Sequence, residues 1–182
     1  MQSEEAALPD TVRAAPLLVT AELPRDVFAW AEGLRRKHFP PERNKVRAHV
    51  TLFHALPPSV YDEVRRMLAE LAGEPPPPAR IVGLMPLAGG TAFQIVSPAL
   101  DALHAEMVER LHGVLGVQDR ARRKLHVTVQ NKVAAAEART LQVELAGAWR
   151  PETFAFAGLS LHRFRDGRWA DAGTWPFRGT TR

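Results

Sequence analysis

The chain carries one short strand twice. Residues 47–56 read RAHVTLFHAL and residues 124–133 read KLHVTVQNKV, so a cation, a histidine two places on, a valine and a threonine recur 77 residues apart (126 minus 49). In a β-strand, side chains two apart share a face. The first copy then presents Arg47, His49, Thr51 and Phe53 on one side and Ala48, Val50 and Leu52 on the other. The second presents Lys124, His126, Thr128, Gln130 and Lys132 against Leu125, Val127 and Val129. Each strand has an aliphatic face suited to a core and a face bearing a base, a hydroxyl and a cation. The second kind of face suits an anion, and two copies of it demand a fold with two equivalent strands.

The flanking segments repeat in the same order. PLLVTAEL (16–23) is a strand by its β-prone apolar run, and 24–39 opens with Pro and spaces Val27, Trp30, Ala31 and Leu34 as on a helix. A basic loop, ERNKVR (42–47), leads into the first His-Val-Thr strand, and an amphipathic helix over 58–73 ends at Gly73. EPPPP (74–78) is a stiff connector, and 79–96 forms two strands joined at Gly89-Gly90. A Ser-Pro-started helix over 97–116, the basic loop DRARRK (119–124), the second motif strand, a helix over 134–147 and strands in 153–164 and 168–177 complete the chain. A unit this long in two copies is a duplication and not a solenoid. The expected fold is α+β: a duplicated bilobal structure with two antiparallel-rich sheets around a central cleft, helices outside and a pseudo-twofold axis. Residues 1–14 are expected to form a flexible tail, and 15–182 a single bilobal domain.

With 46% hydrophobic and 24% charged residues, the composition is that of a globular protein. No apolar run approaches the length of a membrane span, and MQSEEAALPD lacks the features of a secretory signal. Cysteine is absent, which excludes disulfides, a thiol nucleophile and thiolate metal sites. A cytoplasmic location is the default expectation. A net charge of +4 and a pI near 10.1 suit a protein that handles polyanions, and its basic clusters precede both motifs.

Through HVTL (49–52) and HVTV (126–129), and through the order and spacing of the segments around them, the chain resembles the 2H phosphoesterase superfamily. That group includes proteins labelled 2′-5′ RNA ligases and RNA 2′,3′-cyclic phosphodiesterases. Many of those phosphodiesterases carry an arginine shortly after the second motif, where this chain has Gln130, Asn131 and Lys132. The resemblance implies His49, Thr51, His126 and Thr128 as the catalytic set, without metal or other cofactor.

The chemistry independently asks for these groups. Opening a cyclic phosphodiester needs a water activated on one side of phosphorus and a proton delivered to the sugar oxygen leaving on the other. Two imidazoles suit both tasks, and hydroxyls two residues on can donate to the non-bridging oxygens. Arg47, Lys124, Gln130 and Lys132 are candidate substrate-binding residues, and Phe53 a candidate platform for a base. His54 falls on the opposite side of a regular strand from His49; His38, His104, His112 and His162 are expected in surface or packing roles. The expected substrate is an RNA terminus or nucleotide bearing a 2′,3′-cyclic phosphate, with neither a membrane nor a protein partner. A nucleotide-binding module without turnover and a reversible 2′-5′ RNA ligase remain alternatives, and the sequence does not assign acid and base between the histidines.

Overall fold

The computed structural model describes residues 15–121, 123–149, 152–166 and 168–180. The N-terminal tail over 1–14 and Arg122 of the second basic cluster lie outside them. Eight strands, β1 (Leu17–Glu22), β2 (Val50–Leu56), β3 (Pro78–Leu87), β4 (Gly90–Val96), β5 (His126–Gln130), β6 (Glu152–Ala155), β7 (Gly158–Arg165) and β8 (Arg168–Pro176), alternate with helices in an α+β fold. The helices are α1 (Arg25–His38), α2 (Tyr61–Leu71), α3 (Pro98–Leu111), α4 (Val117–Arg120) and α5 (Ala135–Ala146). The short α4, inside the second basic loop, is an element that periodicity does not reveal.

The strands are antiparallel and ordered β6-β3-β4-β5-β2-β1-β7-β8. Two four-stranded halves are joined at the centre by the two motif strands, where Val50 pairs with Val127. The repeat therefore exchanges its last strand. β3 closes the first repeat in sequence but pairs with β4 of the second, whereas β7 and β8 close the chain and pair back onto β1. Helices cross over too: α1 packs on β5, and His104 of α3 approaches the carbonyl of Leu52. Neither lobe is built from one repeat alone.

The aliphatic faces meet as expected. Val50, Leu52, Val127 and Val129 are at most 1% exposed and join Leu17, Phe93, Leu100, Met107 and Leu159 in one core. α1 buries Val27 and Ala31 but also Arg35, while Trp30 and Leu34 are only partly buried. Burying a Val or Leu side chain contributes roughly 1.5–3 kcal/mol, so the inward faces hold the motif strands in place and leave their outward faces available for chemistry.

Each motif strand is interrupted at the same place. On β2, Thr20↔Thr51 is followed by Val19↔Phe53, and on β5, Ala92↔Thr128 is followed by Thr91↔Gln130. One extra residue, Leu52 or Val129, is thus inserted directly after each motif threonine as a β-bulge, which reverses the facing of the residues that follow it. Phe53 and Gln130, both four residues after their histidine, turn to the buried side.

Candidate active site

The pairing of Val50 with Val127 fixes the arrangement of the site. In an antiparallel pair the neighbours on either side are opposed, so His49 stands across from Thr128 and Thr51 across from His126. Because the two valines point into the core, all four side chains emerge on the other face. His49, Thr51, His126 and Thr128 are each half-buried.

Both imidazoles are held in one way. Nδ1 of His49 lies 2.6 Å from the carbonyl oxygen of Arg47, and Nδ1 of His126 lies 2.8 Å from that of Lys124. A carbonyl only accepts, so each Nδ1 carries a hydrogen and each Nε2 is left to take or give a proton. Removal from water pushes the His49 pKa down to about 4, and the charges of Arg35, His162 and His126 add to the depression against the opposing effect of the Arg47 carbonyl. His126 is also lowered by burial first, then by His54 and Arg123, with the Lys124 carbonyl opposing.

Arg35 connects the motifs. Its Nη1 donates to the carbonyl of Thr128 at 2.8 Å, and its Nη2 to Asn44 Oδ1 and the Val46 carbonyl, both at 2.7 Å. It fixes the loop before His49 and the backbone of Thr128 together. Asp119 does the corresponding work beside His126. Only 2% exposed, its carboxylate accepts from the amides of His54 and Ala55 at 2.8 and 3.0 Å and from Arg123 Nη2 at 2.8 Å. Burial alone would raise its pKa, but the His54 ring 3.7 Å away, the hydrogen bonds from the two amides and the charge of Arg123 hold it at about 2.

A cleft of about 700 Å³ opens from His49 over β1, β7 and β8. Arg25, Lys45 and Arg47 stand along it, with Phe28, Trp169, Ser160 and His162. His162 sits between Asp171 Oδ1, 2.9 Å from its Nδ1, and Thr20 Oγ1, 3.0 Å from its Nε2.

Of the substrate-binding candidates, Arg47 lines this cleft with its guanidinium 4.5 Å over the Phe28 ring. Lys124 is exposed and contributes its carbonyl to His126. Lys132 is exposed beyond the end of β5 in a left-handed conformation, φ 61°. Phe53 and Gln130 are corrections. The bulges leave Phe53 fully buried against His104, with ring centroids 4.8 Å apart, so it offers no platform to a base. Gln130 is 2% exposed and accepts from Thr91 Oγ1 at 3.3 Å.

The bulge in β2 also corrects the placing of His54. Its ring contacts Arg123 and its charge acts on His126, which the alternation of a regular strand does not permit. His162, expected in a surface or packing role, lines the cleft with His49. Its signal is present in GLSLHRF, where Ser160 and His162 alternate with Leu159 and Leu161 as the motif residues alternate with valines. His104 takes the packing role expected of it.

A family model described as the 2′-5′ RNA ligase superfamily matches residues 23–168. The chain belongs to that superfamily, the 2H phosphoesterases. No curated protein sequence matches it significantly. Among solved structures, TT0787 of Thermus thermophilus is similar with a TM-score of 0.64 and 17% identity, over 91% of this chain and 100% of the other. A crystal structure titled phosphoesterase gives 0.58 and 19%, over 90% and 98%. E. coli LigT complexed with 3′-AMP gives 0.53 and 17%, again over 90% and 98%. At such identities these structures share the fold, and the site rests on this chain's own geometry.

Proposed function

We propose that the protein is a phosphodiesterase that hydrolyses 2′,3′-cyclic phosphates, at RNA ends or on small nucleotides, by two-histidine acid–base catalysis without a metal. The observation that carries this reading is the register at Val50 and Val127, which sets each histidine opposite the other motif's threonine. His49, with the more strongly depressed pKa, accepts a proton from water at Nε2 as the water oxygen bonds to phosphorus. His126, protonated at Nε2, gives its proton to the sugar oxygen as that P–O bond breaks, leaving a phosphomonoester and a hydroxyl. Thr51 and Thr128 donate to the non-bridging oxygens as their charge grows. Each positioned acid or base contributes about 10²–10⁴ in rate.

A nucleotide ligand is supported by the fold neighbour LigT, solved with 3′-AMP, and by the cationic cleft beside His49. The test is hydrolysis of a 2′,3′-cyclic mononucleotide in excess EDTA. Turnover that disappears with His49→Ala or His126→Ala supports the scheme. Turnover that requires an added metal rejects it, and tight binding without turnover favours a nucleotide-binding module. The ligase direction uses the same proton transfers reversed and is separated by product analysis with RNA halves.

A further inference from the structure

We infer that the tip of the β7–β8 hairpin docks unpaired nucleotides lying upstream of the reacting phosphate. This rests on the phosphodiesterase reading and adds to it a further contact surface, at the far end of the cleft that opens from His49, for a single-stranded RNA.

The outward face of the hairpin is a ladder of cross-strand pairs: Ser160↔Thr174, then His162↔Asp171, then Phe164↔Trp169, with Arg165↔Arg168 at the tip. The first two rungs are polar and flank the cleft. The third is aromatic, with ring centroids 5.3 Å apart at 64°. Phe164 is the one exposed aromatic among the described residues, at 41%. Trp30, Trp149 and Trp175 pack against the core, whereas Trp169 stands on the cleft and against Phe164. Two large rings kept at a surface without a core to serve need a ligand to explain them.

Charge identifies that ligand. Arg165 and Arg168 are exposed at the tip, and Arg25, Lys45 and Arg47 continue the positive lining along the cleft to His49. The acids along this path are engaged, Glu22 with the Thr20 hydroxyl at 3.3 Å, Asp166 with Arg165 at 3.6 Å and Asp171 with His162. Aromatic faces interleaved with cations suit single-stranded nucleic acid, whose bases stack while its phosphates pair. Length excludes a mononucleotide as sole occupant. Ala21↔Val50 and Glu22↔Gly158 set His49 level with Gly158, six residues from Phe164, which is about 20 Å along the strand.

The experiment compares kcat/KM for a 2′,3′-cyclic mononucleotide with that for a short single-stranded oligoribonucleotide ending in the same cyclic phosphate. Stacking of one base corresponds to about 5- to 150-fold, so the oligonucleotide is expected to be preferred by at least the lower figure. Phe164→Ala removes that preference and leaves mononucleotide turnover at its original rate. Arg168→Ala flattens the salt dependence for the oligonucleotide alone, by about 0.7 in log–log slope for one lost phosphate contact. Equal rates on the two substrates, or an unaffected preference in Phe164→Ala, overturn the inference while leaving the phosphodiesterase reading intact. If neither substrate is hydrolysed, that reading fails, and anisotropy with a labelled single-stranded RNA decides this one. Weakened binding by Phe164→Ala supports the docking surface; absent binding, or an acidic peptide bound with equal loss, overturns it.

Discussion

The guanidinium of Arg35, on the Pro-preceded helix of the first repeat, donates to the main-chain carbonyl of Thr128 in the second motif at 2.8 Å. Its other nitrogen donates to Asn44 and Val46 in the loop before His49. One buried cation, 4% exposed, thus ties the two His-Val-Thr motifs together. Removing it leaves three half-buried acceptors without their donor. Arg35→Ala is expected to destabilise the fold by about 3–5 kcal/mol, measured by urea unfolding. Arg35→Lys keeps a charge but not the planar fork, so it recovers only part of the stability and leaves kcat depressed. Full activity in a stable Arg35→Ala variant contradicts this role.

The four facing side chains should separate by severity. His49→Ala and His126→Ala each nearly abolish turnover, because the neighbouring imidazoles are engaged elsewhere, His162 by Asp171 and Thr20 and His54 by Arg123. Thr51→Val and Thr128→Val lose about 10²–10³ in kcat, the usual cost of one oxyanion donor. Because each threonine faces the other motif's histidine, the double threonine variant should fall far below either single one. Circular dichroism should remain native in all of them. A threonine variant at wild-type rate would remove that hydroxyl from the mechanism.

The pH dependence follows from the direction of both histidine shifts. His49 is lowered to about 4 and His126 is lowered from 6.5, each by burial first. In the proposed scheme His126, the acid, must be protonated in the free enzyme, so kcat/KM should peak on the acidic side of 6.5. A bound phosphate anion favours the protonated forms, which moves the kcat profile to higher pH. Stability carries the same signature. Between pH 6.5 and 4 the unfolded histidine binds a proton that folded His49 refuses, so stability is present above 6.5 and declines as pH falls. His49→Asn should flatten that decline in urea midpoints measured from pH 7 to 4.5. A kcat/KM optimum above pH 7.5 is incompatible with these shifts.

Asp119 tests the other anchor. Its carboxylate accepts from two amides of β2 and from Arg123, whose charge acts on His126. Asp119→Ala is expected to cost about 3 kcal/mol and to loosen the loop that carries Lys124, the carbonyl partner of His126. Asp119→Asn retains an acceptor and should cost less. With a folded pKa of about 2 against an ordinary 3.8, the stabilisation by this carboxylate is present above pH 3.8 and lost as pH falls towards 2. A kcat unchanged in Asp119→Ala would separate the anchor from the chemistry.

Alternation along the strands made the four motif residues legible, because a period of two is written directly in HVTL and HVTV. Phe53 and Gln130 failed for one reason: a bulge is defined by what stands opposite, on β1 and β4, and the strand's own sequence does not contain it. The same bulge brought His54 to Arg123. Exchange of β3 and β7–β8 between lobes is likewise a long-range event, decided by burial and not by local propensity. Arg35 was hidden because it occupies a buried position on α1 where an aliphatic residue would be expected, and only its three acceptors reveal its use.

Gly90 gives the bulge itself a test. It begins β4 against the irregular end of β5, and a Cβ there would collide with the Gln130 carbonyl oxygen and come within 2.7 Å of Asn131 Cα. Both obstacles are backbone, so the strand must move. Gly90→Ala is expected to destabilise by at least about 2 kcal/mol and, by shifting β5, to lower kcat through Thr128 and His126. Gly33 provides the contrast, since it lies inside α1 with nothing within 4 Å of an added Cβ. Gly33→Ala should stabilise by about 0.5–1 kcal/mol at unchanged kcat. If Gly90→Ala reduced stability while leaving kcat intact, the position of the second motif would not depend on this contact, and the bulge would have to be held from the β2 side.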